Sequence, residues 1–203
     1  MSCFILVRHG QTEWNREERF RGRVDLPLNP VGVAQAEAAA RRIADNWRPA
    51  AVYSSPLERA RQTALAIGRE CGLPVTAHQG LLDMDYGQWQ GKSPALVAQE
   101  YPELYRAWRE APYTLRIPGG ESLDDVRRRV LHAVEELTVR HPDQAVVLVS
   151  HVVVNRVLLG AVLGLGDEGF WSIGQDTGAI NVFESTANGF VLLGLNDTCH
   201  LVS

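Results

Sequence analysis

Four apolar residues, Phe4-Ile5-Leu6-Val7, run straight into Arg8-His9-Gly10. A short, wholly apolar run predicts a strand buried on both faces, and its polar end marks the functional edge of an α/β sheet. The pattern returns late in the chain, where Ala145-Val146-Val147-Leu148-Val149 stops at Ser150-His151. Residues 51–54 and 75–78 read as two more strands. Between these runs the apolar period changes from two to about 3.6. Val33, Ala36, Ala40, Ile43, Ala44 and Trp47 follow Asn29-Pro30, an N-cap and first helical residue. Ala60, Ala64, Ile67 and Cys71 make the buried face of a second helix, with Ser55 as its N-cap, Pro56 at its first position and Gly72 at its end. Ser122 with Asp125 forms a capping-box pattern ahead of Leu123, Val126, Val130, Val134 and Leu137. Residues 152–163 form an apolar helix closed by Gly164. Residues 179–184 and 190–195, joined around Asn188-Gly189, predict a hairpin.

Strands alternating with helices predict a three-layer α/β/α sandwich with a mostly parallel central sheet and one antiparallel strand near the C-terminus. With no repeat or linker, residues 1–203 read as one domain, in which residues 80–120 or so form a helical lid. The aromatic stretch Tyr101, Leu104, Tyr105 and Trp108 there serves packing or ligand contact with equal weight.

Composition narrows the function mainly by exclusion. The net charge of −4 gives no general attraction to nucleic acid or anionic membranes, so any anion site is built locally. Cys3, Cys71 and Cys199 form no C-x-x-C pair, which disfavours zinc and disulfides and favours a reducing compartment. Cys71 reads as a core residue. No apolar run approaches membrane-spanning length, and the chain is expected to be cytoplasmic. Arg16, Arg19 and Arg23 read as solvated loop residues; His78, His132 and His141 read as surface or helix-end residues that give no metal cluster.

The strand ends carry the chemistry. Arg8 and His9 follow one strand, Arg59 lies in or just beyond the first turn after the next, and His151 follows the late apolar strand. Two imidazoles and two guanidiniums at one sheet edge suit a phosphoryl group, with helix N-termini after Ser55 and His151 adding backbone donors. An imidazole nucleophile at His9 would be kept neutral by Arg8 and Arg59.

The run Leu-Val-Arg-His-Gly-Gln-Thr-Glu-Trp-Asn, together with Ser54-Ser55-Pro56-Leu57-x-Arg59-Ala60 and Val149-Ser150-His151, resembles the histidine phosphatase (phosphoglycerate mutase-like) superfamily. The resemblance covers nearly the whole chain. It implies phosphorylation of His9, with Arg8, Arg59 and His151 around the phosphoryl group. Asp83 stands where the family has a glutamate acid, one methylene longer. Asp85 is a fallback that more readily orders the loop. The same match makes Asn15 a phosphate donor, Arg21 and Gly22 part of the substrate mouth, and Val152 a backbone donor where many relatives have glycine. The compact segment after Asp83 is similar to the phosphatase branch rather than the mutases. Tyr101-Pro102-Glu103, Gly119-Gly120-Glu121-Ser122-Leu123, Phe170-Trp171-Ser172 and Thr198-Cys199-His200-Leu201 resemble metal-independent phosphoserine phosphatases, whose C-terminal segment helps close the pocket; Tyr86 replaces a histidine of that group. The implied activity is metal-independent hydrolysis of a small phosphate ester, phosphoserine leading, with no cofactor and no metal. Phosphoglycerate mutase, α-ribazole phosphatase and a non-enzymatic phospho-ligand scaffold are the alternatives, and a homodimer is left open.

Overall fold

The computed structural model describes residues 1–201, apart from the Asp167 side chain. Six strands form one sheet: β1 (Ser2–Arg8), β2 (Pro49–Ser54), β3 (Val75–Ala77), β4 (Ala145–Ser150), β5 (Ile180–Thr186) and β6 (Gly189–Asp197), in the order β3-β2-β4-β1-β5-β6. β1 to β4 are mutually parallel; β5 runs antiparallel to both β1 and β6. β1 is central because it pairs on both sides, from Cys3 against Ala145 to Arg8 against Ser150 on one edge. Its residues from Phe4 to Val7 are fully buried, as an uninterrupted apolar run requires.

Helices follow in chain order: α1 (Glu13–Arg16), α2 (Pro30–Asn46), α3 (Glu58–Cys71), α4 (Pro94–Glu100), α5 (Pro102–Glu110), α6 (Leu123–Arg140) and α7 (Val152–Val162). Alternate strand residues feed different cores. Ile5, Val7, Val147 and Val149 pack with α2 and α3, whose facing residues are mainly small: Ala36, Ala39, Ala40, Ala60 and Ala64. Phe4, Leu6, Val146 and Leu148 pack with α6, α7 and an aromatic group of Tyr86, Trp89, Trp108 and Phe170. The three layers, the parallel majority and the antiparallel strand are as the pattern predicted. So are the Asn29 cap with Pro30, the Ser122–Asp125 capping box and the helical character of the 80–120 segment, which holds α4 and α5.

The second long helix departs from expectation. Ser55 is not its cap; α3 begins at Glu58 with Leu57 at the cap position. Ser55 still donates its N–H to Val149 O at 2.9 Å, so the chain remains in the sheet there and needs more residues to turn. The free N–H of Glu58 is met by the Asp25 carboxylate at 2.7 Å, from a distant loop. That occupies one of the backbone donors expected to serve a ligand. Cys71, expected in the core, is half-buried at the end of α3. The short helix α1 was not visible in the hydrophobic pattern because none of its residues is buried.

Candidate active site

His9 leaves the sheet at the end of β1, held by its own N–H to Ser150 O at 3.0 Å. The next residue must be glycine: a Cβ on Gly10 would lie 2.3 Å from Gly32 O in the first turn of α2. His9 is fully buried, and its Nδ1 lies 2.7 Å from Gly10 O. A carbonyl only accepts, so Nδ1 carries the proton and Nε2 the lone pair. Nε2 is buried and has no hydrogen-bond partner among the described residues. Burial, then Arg59, Arg8 and Arg21, hold His9 well below the ordinary imidazole range. The neutral, tautomerically fixed imidazole is a competent nucleophile.

The other strand ends converge on it. The His151 ring lies 5.1 Å from the His9 ring, centroid to centroid. His151 Nε2 is 2.8 Å from Ser55 Oγ, and its Nδ1 is 3.6 Å from Asp83 Oδ2. With Ser55 donating to Nε2, the Nδ1 proton faces the carboxylate. The residue misread as a helix cap therefore orients the second histidine. Burial, then Arg59 and His9, also depress His151. Arg59 is fully buried and forks between Gly22 O (2.7 Å), Val24 O (2.9 Å) and Asp83 Oδ2 (2.9 Å). Arg8 donates to Gln175 O, and burial with Arg21 and Arg156 nearby pulls it down to about 9, still charged at neutral pH. Of nine buried side-chain polar atoms without a partner among the described residues, five belong to Arg8, His9, Arg21, Arg59 and His151. Buried polar groups are normally paired, so this concentration marks a site made for a polar ligand.

Two supporting networks escaped the sequence reading. Arg129 on α6 donates to Gly80 O, Leu82 O and Asp83 O at 3.0, 2.7 and 3.2 Å, and pairs with Glu121 at 3.0 and 3.1 Å. Glu121 in turn accepts from Asp85 N at 2.9 Å. The loop bearing Asp83 is thus clamped through its carbonyls. Behind Arg8, Asn155, Gln175 and Asn181 form a buried amide network; Asn181 Nδ2 ties it to Leu6 O at 3.0 Å. Backbone-directed arginines and amides leave no spacing motif, so no sequence signal announced them.

Beyond the cluster opens a cavity of about 220 Å³, lined by Arg21, Tyr86, Tyr105, Trp108, Val152 and Arg156, among others. The aromatics of the 80–120 segment divide their work: Trp108 is buried core and cavity wall at once, whereas Tyr101 donates to Gln88.

The model of the histidine phosphatase superfamily (branch 1) matches residues 4–198. This chain belongs to that superfamily. Over 201 residues, 99% of this chain and 95% of the relative, it is 39% identical to phosphoserine phosphatase 1 of Hydrogenobacter thermophilus. It is 40% identical to a metal-independent phosphoserine phosphatase of Arabidopsis thaliana, over 76% of this chain and 66% of that one. A mycobacterial glucosyl-3-phosphoglycerate phosphatase, solved with VO3, superposes with a TM-score of 0.89 at 32% identity, covering 97% and 99% of the two chains. The histidine phosphatase is a phosphoric monoester hydrolase.

The structure brings Arg8, His9, Arg59, Asp83 and His151 of this phosphatase together. Asp85 accepts from Gly87 N at 2.8 Å and orders the loop, as expected. Arg21 and Val152 line the cavity. Val152 is the first residue of α7, where N–H groups lack helical partners. Gly22 is not at the mouth: it is buried at φ +51 and gives its carbonyl to Arg59. Asn15 Oδ1 accepts from Thr12 N and Oγ1 at the start of α1, leaving Nδ2 as its donor. His141 caps α6 and meets the Tyr53 hydroxyl at 2.9 Å; His78 lies 3.4 Å from Glu136. Asp197, Cys199 and His200 hold their ligand atoms within 4.8 Å of one another, although Asp197 is already engaged by Cys199 N and Arg42. His200 lies 3.0 Å from Gly178 O, so residues 199–201 rest on the Gly178 turn and do not line the cavity.

Proposed function

We propose that the chain hydrolyses a small phosphorylated metabolite, with O-phosphoserine the leading candidate, through a phosphohistidine at His9 and without a metal ion. The observation that carries this reading is the buried lone pair of His9 Nε2, ringed by Arg8, Arg21, Arg59 and His151. The names of the Hydrogenobacter and Arabidopsis relatives support the substrate and the metal independence.

The ester, entering as its monoanion, gives its proton to the Asp83 carboxylate; Nε2 then attacks phosphorus, the ester P–O bond breaks and its electron pair goes to the leaving oxygen, which takes that proton from Asp83. Water then enters, gives a proton back to Asp83 and attacks phosphorus, and the P–N pair returns to Nε2. Arg8, Arg59, Asn15 Nδ2 and the Val152 N–H neutralise or bind the equatorial oxygens, and His151 becomes cationic against the phosphate dianion. Asp83 is shorter than the family's acid. The Arg129 clamp on its loop supports delivery of the carboxyl despite that, and the helical segment within residues 80–120 roofs the substrate.

Rapid quenching during turnover of labelled phosphoserine in EDTA tests the reading. Acid-labile phosphate should appear on His9, at kinetically competent rates, and vanish in His9→Ala. Product release without that intermediate, or activity abolished by EDTA, would overturn it.

A further inference from the structure

The cavity wall carries positive charge that phosphoryl transfer does not use. Arg156 lies on α7 one turn beyond Val152, about 6 Å along the helix axis. Its Nε donates to Ile173 O at 2.8 Å. Its guanidinium stands 5.5 Å from the Phe170 ring centre and 5.1 Å from that of Trp171, while Arg109 of α5 stands 5.4 Å from the same Trp171 ring. These contacts fix the plane of the Arg156 fork. Its two terminal nitrogens have no hydrogen bond, and neither arginine has an ion-pair partner, among the described residues. The other charged residues facing this cavity are Glu18, Arg19 and Arg21. Arginines thus outnumber carboxylates four to one on the lining, and the buried Tyr86 phenol is held protonated by desolvation.

We propose that Arg156, backed by Arg109, is a second anion subsite that selects phosphate esters bearing a carboxylate a few bonds from phosphorus. The proposal rests on the phosphatase reading above and extends it to a substrate class. Three features argue for it. Helical side chains lean toward the N-terminus, so the Arg156 fork is carried back toward Val152 and the phosphoryl position. In a three-carbon phospho-acid the carboxylate lies roughly 5 Å from phosphorus by ordinary bond lengths, a reach that suits a fork on the same cavity wall one turn along α7 from Val152. A guanidinium braced between two aromatic rings, with both terminal nitrogens unpaired among the described residues, is set to bind a carboxylate bidentately.

The test uses esters paired by the presence of that carboxylate: O-phosphoserine against O-phosphoethanolamine, and 3-phosphoglycerate against glycerol 3-phosphate, with p-nitrophenyl phosphate as reference. The wild type should prefer the carboxylated member of each pair by about tenfold or more in kcat/KM. Arg156→Gln should cost the carboxylated esters roughly tenfold to hundredfold, mainly through KM, as for loss of a charged hydrogen-bonded pair. The other esters should stay within about twofold. Arg109→Gln should give a smaller loss in the same direction. Arg156→Lys, which keeps charge without the fork, should recover part of the preference and decides the matter if the glutamine variant fails to fold. A wild type indifferent to the carboxylate, or a loss shared equally by all five esters, would overturn the subsite while leaving the phosphatase standing. Inertness of the wild type toward all five would instead sink the phosphatase reading, and the subsite with it.

Discussion

On one side of the sheet, Ala36, Ala39, Ala40, Ala60 and Ala64 let α2 and α3 lie close against the strands. On the other, Trp89, Trp108, Tyr86 and Phe170 add a bulky aromatic group to the core that α6 and α7 share with the sheet. The close-packed side fixes the nucleophile: the carbonyl of Gly32 sits where a Gly10 side chain would be, and Thr63 Oγ1 receives the Gly10 N–H at 3.1 Å. The aromatic side leaves the cavity and supplies the acid loop. Small residues deny His9 freedom; large ones make room for what it attacks. Chemistry belongs to the junction, where a side chain from each half must meet.

The sharpest way to break this division is at Asp83, the aromatic side's contribution to the strand-end cluster. Asp83→Asn keeps the shape and can still accept from Arg59, so folding should survive. Losing the proton carrier should lower kcat for phosphoserine by a factor on the order of 10² to 10⁴. Removal of a negative charge 2.9 Å from Arg59 should leave inorganic phosphate binding unchanged or tighter. Single-turnover kinetics with phosphate inhibition would separate the two. Undiminished kcat would move the acid elsewhere, with Asp85 the next residue to substitute.

A subtler break leaves the acid intact and loosens its support. Arg129→Lys retains a charge but cannot reach three carbonyls and both Glu121 oxygens with one planar fork. The acid loop should drift, and kcat should fall about tenfold, since small misplacements of a reacting group are costly. Phosphate inhibition, set by the strand-end cluster, should change less than about threefold. Equal losses in both would mean that the two sides are not separable.

These two substitutions also mark how far the sequence could be read. Arg8, His9, Arg59 and His151 were legible because each follows a strand or its turn, and strand ends share one edge; Asp83 was legible only through the family resemblance. The layers were legible from the switch between alternating and helical periods. Arg129, Asn155 and Gln175 were not, since a side chain that bonds a distant group obeys no local spacing; Glu121 stood in a family motif, but its partner did not. Ser55 shows the limit within a motif: Ser-Pro is a sound helix-start pattern, yet Ser55 remains in the sheet by bonding Val149, and Asp25 caps the helix from afar. Residues 199–201, whose counterparts in the resembled phosphatases help close the pocket, are here anchored by His200 on the turn whose Gly178 N–H donates to Arg8 O and His9 O.

The smallest effect concerns pH, and it too sets the two halves side by side. His9 and His151 are both buried and both held below the ordinary imidazole range, the first by burial, Arg59 and Arg8, the second by burial, Arg59 and His9. Once the pH falls below about 6.5, the unfolded chain takes up protons that the folded chain refuses. Stability from this source is therefore complete above that point and drains away on acidification, by up to roughly 1.4 kcal/mol per pH unit for each histidine. Urea unfolding between pH 7.5 and 5.5 should show the slope in the wild type, and His9→Gln and His151→Gln should each flatten it by about one histidine's share. A His9 variant that flattens the slope beside a His151 variant that does not would place His151 on the solvent-exchanging side of the junction, and would remove it from the pre-organised cluster that the fold has been read as building.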